Sequence, residues 1–200
     1  MPKAQLVPGV SNCVTRDGDN DFMPRSPLAT SCTWAWAGTV LLAACNPSLN
    51  WREVQQKDHA LLALMPCKAV ASSRQVNLGG HTVDMNLNSC TAADATFVVG
   101  TATVQPADAA VALDHWKQAV LANISASGQT PVASAGPISV SGMPAPQTLL
   151  TSHGKRPDGS AVQISALWFA QEGKLFHAAI YANTVSPDMS EPFFNGLKLP

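Results

Sequence analysis

The chain has 200 residues, with 12 basic and 13 acidic side chains and a formal net charge of −1. Only 12% of its residues are charged, about half the usual share, while 46% are hydrophobic. That excludes nucleic-acid binding through a basic footprint, which needs a cationic excess to displace counterions. It also excludes a solvated disordered chain, which needs high net charge and few apolar residues. The length suits one ordinary domain plus a leader or tail.

The leader comes first. No charged residue occurs between Ser26 and Trp51, whereas Asp17, Asp19, Asp21 and Arg25 lie just before. Residues 32–44 are apolar or small and run into Cys45. The run is too short to span a bilayer, which takes about 20 residues, but it fits the apolar core of a secretory signal, roughly 7–15. Leu42-Ala43-Ala44-Cys45 resembles the lipobox of bacterial lipoproteins. The resemblance implies cleavage before Cys45, a diacylglyceryl group on its sulfur and an acylated new N-terminus. Counted from Met1, the region ahead of the apolar core is long and neutral. Counted from Met23 it reads Met-Pro-Arg-Ser-Pro, short and positive. Residues 1–22 are therefore expected to be an over-called start or a disordered extension, 23–44 the signal peptide, and 45–50 a linker. Asp17-Gly18-Asp19-Asn20-Asp21 imitates a calcium loop but lacks the glycine at position six and the closing glutamate.

Residues 51–200 are expected to form a single α+β domain. Strand-like runs cover Ala60 to Met65, Arg74 to Leu78, Thr82 to Leu87 and Ala95 to Val104, with turn signals at Gly79-Gly80 and around Thr91 to Asp94. From Pro106 to Ser127 the pattern is helical. Leu113, Trp116, Val120, Leu121 and Ile124 recur at steps of three and four, one apolar stripe built for core packing. Pro106 suits the first turn, and Gly128 is the expected stop. Residues 128–146, rich in glycine and proline, are expected to be a loop that could cover one edge of the sheet.

Three strands then follow as a meander: Gln147 to Gly154, Ala161 to Ala170, and Lys174 to Asn183. Pro157-Asp158-Gly159 and Glu172-Gly173 supply the turns. Val162, Ile164, Ala166 and Trp168 are expected on one face of the middle strand. Pro187 to Phe194 is expected to be a short helix, and Gly196 to Leu199 a closing strand or tail.

This order, with Met65-Pro66-Cys67-Lys68 closing an early strand and Glu191-Pro192-Phe193-Phe194-Asn195-Gly196-Leu197-Lys198-Leu199 closing the chain, resembles the small bacterial envelope proteins related to the PsbP-like α/β/α sandwich. In that family the early strand ends in Phe-Pro-Cys-Lys or Phe-Pro-Gly-Lys, and the final helix carries Phe-Phe-Asp-Ser-Phe-Lys-Leu. Here Met65 replaces the phenylalanine, and Asn195-Gly196-Leu197 stands for Asp-Ser-Phe. The resemblance implies an antiparallel sheet with one long helix and a short C-terminal helix on its faces. It also implies a protein-binding or assembly role. It offers no catalytic residues to transfer.

The chemistry-bearing residues are sparse. His59, His81, His115, His153 and His177 are scattered, with no His-Glu-x-x-His spacing. His115 is expected on the polar side of the helix, and His177 half-buried on a strand. A Cys67 or Cys90 nucleophile with His81 as base is conceivable, but an exported chain with two such cysteines is expected to pair them. Gly154-Lys155-Arg156-Pro157-Asp158-Gly159-Ser160 has the flavour of a phosphate loop with the order reversed, and is expected to be a charged hairpin tip. There is no Gly-x-Ser-x-Gly, Cys-x-x-Cys or dinucleotide fingerprint. The expectation is a protein with no enzymatic activity, no cofactor and no metal. It would be anchored to the membrane through Cys45, face the periplasm, be held at the outer membrane of a Gram-negative envelope, and engage an envelope protein. The rival readings are a carrier of a small apolar ligand between sheet and helix, and an enzyme using a pocket with polar groups such as His81, Asp84 and His177.

A Cys67–Cys90 disulfide is also expected. Cys13 and Cys32 leave with the leader and Cys45 is lipidated, so two cysteines remain in an oxidising compartment. If Gly79-Gly80 is a two-residue hairpin loop, paired positions sum to 159, and Cys90 falls opposite Ala69, two residues from Cys67. A kink at Pro66 closes the rest of the gap to the roughly 7 Å that a bridge allows.

Overall fold

A computed structural model describes residues 48–56, 61–125 and 133–200. The leader, Cys45, His59 and Gly128 lie outside the described residues.

Two antiparallel sheets carry the fold. The small one pairs β1 (Arg52–Gln55) with β2 (Leu62–Met65). The large one has seven strands: β3 (Val70–Leu78), β4 (His81–Ala92), β5 (Ala95–Thr103), β6 (Ala133–Ile138), β7 (Gln147–Lys155), β8 (Ala161–Gln171) and β9 (Lys174–Ala182). Their order across the sheet is β3-β4-β5-β9-β8-β7-β6. The chain therefore builds a three-strand meander from one edge, crosses over, and returns through β6–β9 to pair β9 with β5 at the centre. Helix α1 (Ala109–Asn123) makes the crossover, and α2 (Pro187–Asn195) follows β9. The α+β class expected from the sequence is what the chain adopts.

The Gly79-Gly80 turn sets the register as its spacing predicts. Both glycines have positive φ, +63° and +92°, the conformation a two-residue hairpin loop requires and a side chain resists. Leu78 then faces His81, and pairing continues without interruption to Val70 opposite Ser89. The strands run longer than the hydrophobic pattern suggested, because the residues that extend them, among them Ser72, Ser73, Asn88 and Ser89, are polar.

Each face of the large sheet has its own core. On the first, α1 lays Ala112 and Trp116, and its C-cap Ile124, against Ala102, Leu175, Ala179 and Ile164, with Leu113, Val120 and Leu121 partly buried beside them. The predicted stripe is thus the buried face. The helix itself is shorter than the pattern: Pro106–Asp108 form a 3-10 turn, and α1 ends at Asn123. Gly100 lets Trp116 sit directly on the sheet, since a Cβ there would fall 2.9 Å from Trp116 Cζ2 and 2.8 Å from Leu87 Cδ2. Val162, Ile164, Ala166 and Trp168 share this face, as expected.

On the second face, the small sheet and α2 pack Leu61, Ala63, Met65, Phe193, Phe194 and Leu197 onto Phe97, Val99, Phe176 and Ile180. Phe97 and Phe193 meet edge to face at 5.4 Å, the arrangement aromatic quadrupoles prefer. Leu49 and Trp51 pack against this core, and Asn50 donates its backbone N–H to the Pro66 carbonyl at 2.7 Å. Lys198 of the closing segment bridges both Leu62 and Ser141.

Two strands depart from the sequence reading. β1 carries Arg-Glu-Val-Gln, too polar to signal a strand, and forms because β2 offers it a ladder. β6 lies inside the segment expected to be a loop. It contains Gly136 and Pro137, tolerated because β6 is an edge with a partner on one side only.

Candidate functional site

Cys67 and Cys90 form a disulfide with Cα atoms 5.9 Å apart, the pair expected from spacing and compartment. Cys90 faces the second side of the sheet opposite Phe97, and Cys67 lies just beyond β2. The bridge therefore ties the exit of the small sheet to the middle of the large one. With both sulfurs joined, the cysteine-nucleophile reading with His81 has no free thiol. Its base is also remote: nine residues of extended β4, about 30 Å, separate His81 from Cys90.

Beside this staple lies an open groove of about 580 Å³. Its wall is β1 and its floor is the second face of β3 and β4, where Ala71, Ser73, Asn86 and Asn88 are small or polar. Arg52 and Lys68 stand at its rim, both exposed and without an ion-pair partner among the described residues. Glu53, the acidic group lining it, is paired with Lys198 at 3.7 Å. Gln56, also at the groove, is buried, and its Nε2 has no hydrogen-bond acceptor among the described residues.

The first face holds an aromatic stack. The His177 imidazole lies between two indoles, stacked on Trp168 at 4.7 Å and tilted against Trp116 at 5.4 Å. It is 2% exposed, not half-buried as the strand pattern suggested, because β9 is a central strand covered on both faces. Its Nδ1 meets the Leu167 carbonyl at 3.3 Å. A carbonyl only accepts, so Nδ1 carries the proton and Nε2 is bare in the neutral ring. Burial pushes the imidazole down from its ordinary 6.5 to about 4, outweighing the Leu167 carbonyl, which favours the charged form. On the same face burial pushes the Tyr181 phenol up to about 12. Both groups are neutral near pH 7.

His81, Asp84 and His177 are not brought together. His81 and Asp84 are three apart on β4 and so project from opposite faces. His177 pairs with Gly100, which pairs with Leu87, six residues and about 20 Å along β4 from His81. His81 instead meets Asp108 at 3.4 Å on the surface. That contact was illegible in the sequence, because it depends on where the crossover lands.

The space between Trp116 and the sheet is filled by its indole against Gly100 and His177. Next to it a shallow groove of about 310 Å³ separates α1 from β7, with Leu113, Leu150 and Trp168 inside and Asp114 and Lys117 at the lip. The Lys155 to Ser160 tip is a hairpin turn. Asp158 accepts from the Ser160 N–H and hydroxyl, which hold its carboxyl below the usual range. Among the described residues no three metal-ligating side chains cluster, and no helix is long and apolar enough to cross a membrane. No protein-family model matches the chain, and no curated protein is similar to it.

Proposed function

We propose that this chain is a lipid-anchored envelope protein whose PsbP-like domain binds another protein rather than carrying a ligand or catalysing a reaction. The observation behind the binding reading is the filled interior. The Trp116 indole occupies the space above Gly100 where a carrier would need a cavity, and the grooves found among the described residues lie at the surface. The helix on one face and the short helix with its Phe193-Phe194 pair on the other support the α/β/α comparison. The Leu42-Ala43-Ala44-Cys45 box behind its apolar run supports the anchor. Cys45 precedes Trp51 by six residues, so a lipid there would keep the domain within about 20 Å of the bilayer. In this reading the domain faces the periplasm from the outer membrane of a Gram-negative cell, since Asn46 is not the aspartate that holds many lipoproteins at the inner membrane.

Native mass spectrometry of the purified full chain, beside chemical crosslinking in intact cells, tests this. The expected result is a protein free of co-purified small molecules, with a discrete crosslinked species in wild type that is lost when Cys45→Ser removes the anchor. A stoichiometric apolar molecule travelling with the protein overturns the reading in favour of the carrier.

A further inference from the structure

We propose that the outer edge of β3, with the groove beside it, takes an extended, acid-bearing segment of a protein partner as an eighth strand of the large sheet. The proposal rests on the protein-binding reading above and names the surface that does the binding.

Among the described residues the edge is unpaired along its length. β3 is nine residues long and ends the sheet, with β4 on one side and, among the described residues, no strand on the other. Natural edge strands are protected by shortness, proline, bulges, or several charges. β3 has no proline, a single charge at Arg74, and an unbroken register from Val70 to Leu78. The opposite edge, β6, is shorter and carries Pro137. In a two-residue hairpin the residues flanking the loop form a hydrogen-bonded pair, and such pairs alternate along the ladder. Leu78, Val76, Arg74, Ser72 and Val70 therefore bond to β4. Ala71, Ser73, Gln75 and Asn77 turn their N–H and C=O groups outward, ready for another strand.

The side chains indicate what that strand carries. Arg74 is exposed and has no carboxylate within ion-pair distance among the described residues, and the same holds for Arg52 and Lys68 at the groove. Asp84 pairs with Gln75, on the other face of the strand from Arg74. On its own face Arg74 thus has no counter-charge among the described residues, and this face of the edge is complementary to an acidic segment. Val70, 68% exposed, supplies an apolar contact at one end. On the second face, alternate side chains of an added strand would fall beside Ala71 and Ser73 at the groove, which Gln56 also lines, its amide without an acceptor among the described residues. A second copy is disfavoured in the register centred on β3, since Arg74 would face its own symmetry mate.

Two experiments on the full chain decide it. In the first, fluorescence polarisation follows a nine-residue probe peptide of alternating valine and threonine with a central glutamate, and its central-lysine counterpart. The glutamate peptide is expected to bind at least tenfold more tightly, Arg74→Glu to reverse the preference, and Ser73→Pro, which removes one outward N–H and no ladder bond, to abolish binding. Should Ser73→Pro misfold, the Arg74→Glu reversal decides alone. Equal affinity for both peptides in wild type overturns the proposal. In the second, a photo-crosslinking residue is placed in cells at Gln75, His115 or His153. A heterologous adduct at Gln75, mapped to an extended acidic segment and lost in Arg74→Glu, is expected. An adduct between two copies of this chain at Gln75 overturns it in favour of self-association. Adducts at His115 or His153 but not Gln75 overturn the edge and leave protein binding standing. No adduct at any position overturns both.

Discussion

His177 should make the domain lose stability as pH falls through the weakly acidic range. The imidazole is buried between Trp116 and Trp168, and its proton affinity drops from the ordinary 6.5 to about 4 on folding. Between those values the unfolded chain binds a proton that the native state refuses, so stability rises with pH there. The contribution is complete above about pH 6.5 and lost progressively as pH falls toward 4. At about 1.4 kcal/mol per tenfold change in proton affinity, the full loss is about 3 kcal/mol. Stacking of a charged ring on two indoles would return up to about 2 kcal/mol, so a loss of about 1 to 3 kcal/mol is expected. Urea unfolding followed by tryptophan fluorescence at several pH values from 7.5 to 4, for wild type and His177→Phe, isolates this share from that of other titrating groups. The variant curve should be flatter by that amount. Parallel curves across the range would show that His177 is not buried neutral, and would refute the packing of the first face.

Trp116→Ala should cost about 3–5 kcal/mol, as other large aromatic truncations do, whereas Lys117→Ala, at the lip of a surface groove, should stay within about 0.5 kcal/mol in the same assay. Gly100→Ala should destabilise by about 1–3 kcal/mol, because the new methyl overlaps Trp116 and Leu87; an unchanged midpoint would show that the indole does not sit on the sheet. Replacing Cys67 and Cys90 together by alanine opens a loop of 23 residues' separation and should cost roughly 3 kcal/mol. Thiol titration of the denatured, unreduced wild-type domain should find neither cysteine free.

The hairpin register, the helix stripe and the β7–β9 meander were legible because each has a local cause. Glycines supply the positive φ of the turns, and apolar residues recur at the period of their element. β1 and β6 were not, since neither Arg-Glu-Val-Gln nor a Gly136-Pro137 segment has strand character until β2 or β7 offers a ladder. The full burial of His177 exceeds what strand alternation implies, although the sequence carries a signal for it. Leu175 to Ala182 is apolar at nearly every position, the mark of a strand covered on both faces, and a histidine inside such a run belongs in the core. The groove could not be foreseen. It is made by the separate small sheet standing over β3 and β4, and sequence spacing alone folds the early strand into the main one.

The most direct test of the anchored-module account is the intact mass of the mature protein extracted from membranes in detergent. The expected species begins at Cys45, carries the mass of a diacylglyceryl and an acyl group, and retains the Cys67–Cys90 bridge; Cys45→Ser should accumulate as unprocessed precursor. An unmodified mature chain beginning at any other residue contradicts the account.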